Sequence, residues 1–148
     1  MRRYLIFAIC FFVVIPVFAQ SAGEIESLLE MEAVNYGQAA RLVLQAAENR
    51  DLNTEAAFSF ALENKWLPKG VEAGDTARLN GFSLLIMKAF EIKGGAFYSL
   101  TGRAHYAYRE LVYRNIIQGR SDPAMPVSGD LLFFIVNRAL NFQEANEL

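Results

Sequence analysis

Apolar positions recur at helical spacing along most of this chain. Phe82, Leu85, Ile86, Ala89 and Phe90 stand at i, i+3, i+4, i+7 and i+8. Leu132, Ile135, Val136, Ala139 and Leu140 keep the same spacing, as do Ala39, Leu42, Val43, Ala46 and Ala47. Each set makes one apolar stripe on a helix of 3.6 residues per turn. A shorter stripe, Phe58, Ala61, Leu62 and Trp66, is matched by Tyr108, Leu111, Val112 and Ile116. The pattern predicts an all-α fold of about five helices, over 35–48, 54–66, 77–91, 103–116 and 128–142. Asn35 with Gln38 three residues on reads as a capping box, and Thr54 and Ser128 read as N-caps. Ala46, Ala89 and Ala139 share one slot, where a small side chain lets helices approach closely. Gly81 inside the middle stripe weakens that helix. Pro68-Lys69-Gly70, Gly74-Asp75, Gly119, Asp122-Pro123 and Pro126 supply turn chemistry between the stripes. Phe97–Leu100 reads as a short extended piece, and the polar tail after Phe142 is expected to fray.

The two longer blocks also match each other. Residues 57–90 lie over 107–140 without gaps at a spacing of 50. Ala61-Leu62 falls on Leu111-Val112, Trp66-Leu67 on Ile116-Ile117, and Lys88-Ala89-Phe90 on Arg138-Ala139-Leu140. What recurs is the order of apolar, small and basic positions, the mark of repeated supersecondary units. The expected organisation is one domain, 20–148, with a half unit at 34–50 and full units at 54–91 and 103–142.

The first 19 residues have a different character. Arg2 and Arg3 precede an apolar run from Tyr4 to Ile15, and Val17 and Ala19 suit the small-residue positions of signal peptidase. This predicts export with cleavage after Ala19, and no stable membrane span afterwards, because the run falls short of the ~20 residues a span needs. Cleavage would remove Cys10, the only cysteine, leaving neither disulfide nor thiol chemistry. It would also shift the formal net charge from −2 to about −4. An acidic chain argues against a nucleic-acid binder and against a polybasic membrane-surface protein.

The helix–loop–helix unit of about 50 residues resembles the S-layer homology repeat. Ile116-Ile117-Gln118-Gly119 looks like that family's apolar pair and loop start. Lys88-Ala89-Phe90 and Arg138-Ala139-Leu140 look like its closing basic-Ala-Leu triplet. The chain is also similar to small exported proteins of spirochaete cell envelopes. The resemblance implies a helical repeat scaffold that holds an acidic wall polymer. At the family's signature Arg position this chain has Leu79 and Gly129, and at its Glu position Gly81 and Leu131. The scaffold is kept, and the residues that hold polymer in the family are replaced.

Candidate chemistry concentrates in one segment. Arg103, Tyr106, Arg109 and Arg114 carry forked donors and a stacking ring suited to a carboxylate, phosphate or sugar. The alternative is a solvated helix face with Tyr108 in the core and Arg109 and Glu110 pairing locally. His105, the only histidine, reads as a surface residue more readily than a general base. Trp66 reads as core more readily than as a sugar platform. Glu72, Asp75 and Asp122 are too few for a Ca²⁺ loop, and Gly94-Gly95 lacks a phosphate-loop pattern. No catalytic residue, metal site or cofactor is expected. The expectation is an exported, non-enzymatic cell-envelope module that binds a protein partner or wall polymer, with homo-oligomerisation open. The alternatives are a periplasmic assembly or chaperone-like factor with an apolar groove, and an enzyme acting on envelope glycan. Leu131–Phe134 is an apolar run in excess of what short helices bury, and a second candidate contact surface.

Overall fold

The computed structural model describes residues 15–119 and 121–146, with side chains described from residue 22 onward. Within these bounds the chain is all-α, with no strands. Seven helices follow in order: α1 (Ile15–Leu29), α2 (Tyr36–Glu48), α3 (Thr54–Glu63), α4 (Leu79–Ala89), α5 (Ala96–Thr101), α6 (Ala104–Tyr113) and α7 (Gly129–Asn146). Residues 1–14, which hold the basic start and most of the apolar run of the expected signal, lie outside the described residues.

Two of the helices are additions to the expected set. α1 runs through the Ala19–Gln20 bond and the polar stretch after it. α5 covers the segment read as extended, which is a correction. Gly95 opens this short helix, and Gly102, at φ +58°, closes it. Two glycine boundaries and a left-handed cap let six residues form a turn and a half that β propensity alone argues against. The tail is a second correction, because α7 continues through Asn146. There the Asn146 side-chain amide donates to the Phe142 carbonyl at 2.6 Å.

The caps follow local chemistry. The Asn35–Gln38 box forms in both directions, at 2.8 and 3.0 Å. Asn53, rather than Thr54, caps α3, its side chain accepting from Ala56 N–H at 2.8 Å. α3 and α6 then end alike. Asn64 and Arg114 follow them, Lys65 and Asn115 turn left-handed at φ 59° and 58°, and Trp66 and Ile116 donate back to Ala61 and Leu111. Both helices therefore stop short of the expected 66 and 116.

The starts of α2, α4 and α7 converge at the centre of the molecule. Val34 N–H donates to Val127 O at 2.8 Å, Ala77 N–H to Val34 O at 2.9 Å, and Val127 N–H to Ala77 O at 3.0 Å. The three residues form a closed ring and are essentially inaccessible to water. Beyond it, Tyr36 donates to Asp75, Leu79 to Met125 and Gly129 to Met31. Buried peptide groups must find partners. Here three crossing segments supply them to one another, so no sheet is required.

The helices pack around this ring. α4 is central, with nine of its eleven residues buried. α2 packs on α3 and α4 packs on α6, while α7 meets α1 and α2 over smaller areas. Phe82, Leu85, Ile86, Leu132, Ile135 and Ala139 are fully buried. On α2 the buried face is turned by about one position. Ala40 and Leu44 are fully buried, whereas Leu42, Ala46 and Ala47 are only half-buried. α2 is clasped between α3 and α4, and that clasp sets the rotation. Trp66 is half-buried, edge-on to Phe60 at 5.3 Å, while its counterpart Ile116 is in the core.

Candidate functional site

The Arg/Tyr face lies on α6 and divides into two parts. Arg103 is the N-cap residue of α6 and Arg114 its C-cap. A ten-residue helix separates them by about 15 Å at 1.5 Å per residue, so one small ligand does not reach both. Arg103, His105 and Arg109 are exposed near the helix start. Tyr106 is half-buried there, stacked on Phe97 at 5.6 Å between centroids and 16° between planes. The His105 ring meets the Tyr106 ring edge-on at the same distance.

Arg114 is held inward instead. Its guanidinium donates to the Lys93 carbonyl at 2.5 Å and sits 5.2 Å from the centre of the Phe142 ring. Its Nε lies 3.8 Å from Glu110 Oε2. This arginine ties the segment before α5 to α6 and α7. Glu110, expected to pair with Arg109, instead completes the clamp by accepting from Gly95 N–H at 2.8 Å. The signal for it was Gly95 itself, where an added Cβ would fall 2.7 Å from Glu110 Oε1. Tyr108 is in the core, as the stripe requires, with its hydroxyl donating to Ser121 O at 2.5 Å.

The other candidate contact surface is partly exposed. Leu131 and Phe133 are half-buried, and Phe134 is exposed beneath the Arg138 guanidinium, 5.5 Å from its ring centre. Arg138 also donates through Nε to the Asn115 carbonyl at 2.8 Å. α5 exposes two large apolar side chains, Phe97 and Leu100, and Tyr113 stands out at the far end of α6. The signal for the α5 residues was an apolar stretch between glycines, which could not be placed without knowing what covers it.

A groove of about 350 Å³ opens between α1 and α2, lined by Leu28, Met31 and Leu42 with Glu24, Gln38 and Arg41. Arg41 and Glu24 bridge it at 3.2 Å. None of Arg103, Tyr106, Arg109 and Arg114 lines it. Among the described residues no three His, Cys, Asp or Glu side chains gather to hold a metal, and no helix is long and apolar enough to cross a membrane.

Burial raises the Tyr36 phenol above its ordinary value, and burial does the same at Tyr98. The Ser128 hydroxyl, 2.5 Å from Asp130 Oδ1, holds that carboxyl below its usual range. All three shifts have structural causes at caps and core contacts. Compared with family models, with curated proteins and with solved structures, the chain finds no match.

Proposed function

We propose that the protein is an exported, non-enzymatic module of the cell envelope that holds a protein partner or wall polymer on a scaffold of three related units. One observation carries the scaffold. Val34, Ala77 and Val127 each begin the run into a helix, and each accepts from one and donates to another in a closed cycle. The same register relates Ala39, Phe82 and Leu132, the first stripe positions of α2, α4 and α7. A turn also precedes each of the three, in which Met31 donates to Leu28, Asp75 to Glu72 and Met125 to Asp122, with one extra residue between the first turn and Val34. A near-threefold arrangement of this kind supports a repeat origin and the resemblance to S-layer homology units. The half unit then gains α1 as its first helix, joined to α2 by a short connection.

The binding surface is the exposed start of α6, with Arg103, Tyr106 and Arg109. Arg114 supports it from behind by holding Lys93 and Glu110 in place. Co-sedimentation with purified sacculi tests the polymer branch. Wild-type protein should pellet, and Arg109→Ala should weaken pelleting while leaving the melting temperature nearly unchanged, because Arg109 is exposed. Undiminished binding by an Arg103→Ala/Arg109→Ala variant rejects this face. The export branch has its own check: the intact mass of the released protein should begin at Gln20. The reading as an assembly factor draws on the exposed Phe97, Leu100, Tyr113 and Phe134. It becomes the better account if sacculi bind nothing.

A further inference from the structure

We infer that the ridge made by α5 and the start of α6 docks on an anionic lipid surface. α5 turns Tyr98 into the core and leaves Phe97 and Leu100 at 68% and 85% exposure. Its length is six residues, and apart from the stack of Tyr106 on Phe97 these two side chains face water. Apolar side chains held out in this way mark a contact surface.

The charge around them is one-sided. The chain has 16 acidic residues, yet none falls between Glu91 and Glu110, its longest acid-free stretch after the leader. That stretch contains Lys93, Arg103 and Arg109. Lys88 joins them from α4, its ammonium 5.8 Å from the centre of the Tyr98 ring. Of the two bounding acids, Glu110 is turned inward to Gly95 and Arg114. The apolar tip therefore carries a cationic rim on a protein whose net charge is negative.

A bilayer with anionic headgroups uses both features. The apolar tip enters the acyl boundary, and the cations sit at phosphate level on stems that remain partly in the apolar layer. A soluble polyanion or acidic peptide would engage the cations and leave Phe97 and Leu100 in water. The lipid contact shares Arg103 and Arg109 with the surface proposed for wall polymer or protein and adds Phe97 and Leu100, so the Leu100→Ser and Phe97→Ser variants separate the two readings.

Vesicle flotation tests it, using the protein as the producing cell releases it. One set of vesicles is phosphatidylcholine alone, and the other contains one part in three of phosphatidylglycerol. Binding should favour the anionic set and weaken with added salt. Leu100→Ser should reduce it about tenfold or more, the loss from withholding one large apolar side chain. Phe97→Ser gives a second reading of the same tip. Arg103→Gln/Arg109→Gln should reduce binding about fivefold per cation removed. Each effect is read as a ratio of wild type to variant, so the shared N-terminal segment cancels. Leu100 is so exposed that its variant should melt with the wild type. Equal flotation of wild type, Leu100→Ser and Phe97→Ser overturns the inference, as does equal binding to both vesicle sets. Capture of soluble polyphosphate without flotation assigns the cations to a soluble polyanion and overturns it too.

Discussion

Replacing Gly81 by Ala inverts a familiar expectation. In an exposed helix interior the change stabilises by about 1 kcal/mol, through lower backbone entropy in the unfolded chain. In α4 the new Cβ would fall 2.2 Å from the Tyr36 hydroxyl oxygen, and 3.0 Å from both Tyr36 Cζ and Pro68 Cγ. The phenol cannot swing aside cheaply. Tyr36 is 3% exposed, and its hydroxyl accepts from Arg78 N–H at 3.3 Å. Displacing it breaks that hydrogen bond, worth about 1 kcal/mol, and overpacks the core by roughly 1–3 kcal/mol. Subtracting the helix gain leaves Gly81→Ala destabilised by about 1–3 kcal/mol. Urea denaturation should show a lower midpoint at unchanged slope. Tyr36→Phe removes the clashing oxygen and should cost less in the G81A background than in wild type, giving a coupling of about 1 kcal/mol. A G81A protein more stable than wild type, or a cycle that closes additively, refutes the account.

Three further outcomes follow from the packing. Gly129→Ala should be more severe, about 3 kcal/mol, because its Cβ would lie 1.7 Å from the Leu28 carbonyl oxygen and a backbone atom yields less than a side chain; thermal melting reads it directly. Phe82→Ala and Leu132→Ala, both at fully buried positions, should each cost ~2–5 kcal/mol by urea denaturation, whereas Ala139→Leu should strain the same core by ~1–3 kcal/mol. Tyr36 and Tyr98 keep their protons in the folded state at a pH where the unfolded chain has released them. Stability is therefore complete below about pH 10 and falls as pH rises beyond it. A tyrosinate absorbance titration should show Tyr36 and Tyr98 ionising late, each late step vanishing in the corresponding Phe variant.

Much of the fold was legible because helices announce themselves locally. The stripes through Phe82 and Leu132 identified α4 and α7, and the Asn35–Gln38 spacing set the start of α2 to the residue. These signals depend on neighbours three and four positions away, which the sequence displays directly. α5 was missed because its six residues are too few to show a period, and its boundaries rest on two glycines whose backbone angles a sequence does not reveal. α1 was missed because the signal reading claimed its first residues and nothing local marked the rest as structural.

The candidate site divides along the same line. The sequence by itself determined that Arg103, Tyr106, Arg109 and Arg114 share one helical segment, and the periodicity put Tyr108 in the core. Only the tertiary structure decided that Arg114 faces inward to Lys93 and Phe142 while Arg103 and Arg109 face water. A guanidinium takes its role from the carbonyls and rings that other elements bring to it, and those arrive from 21 and 28 positions away along the chain. The ring of Val34, Ala77 and Val127 makes the same point for the fold. Its three residues are ordinary apolar positions in sequence. They become the centre of the molecule because buried peptide groups need partners, and only the assembled chain can supply them.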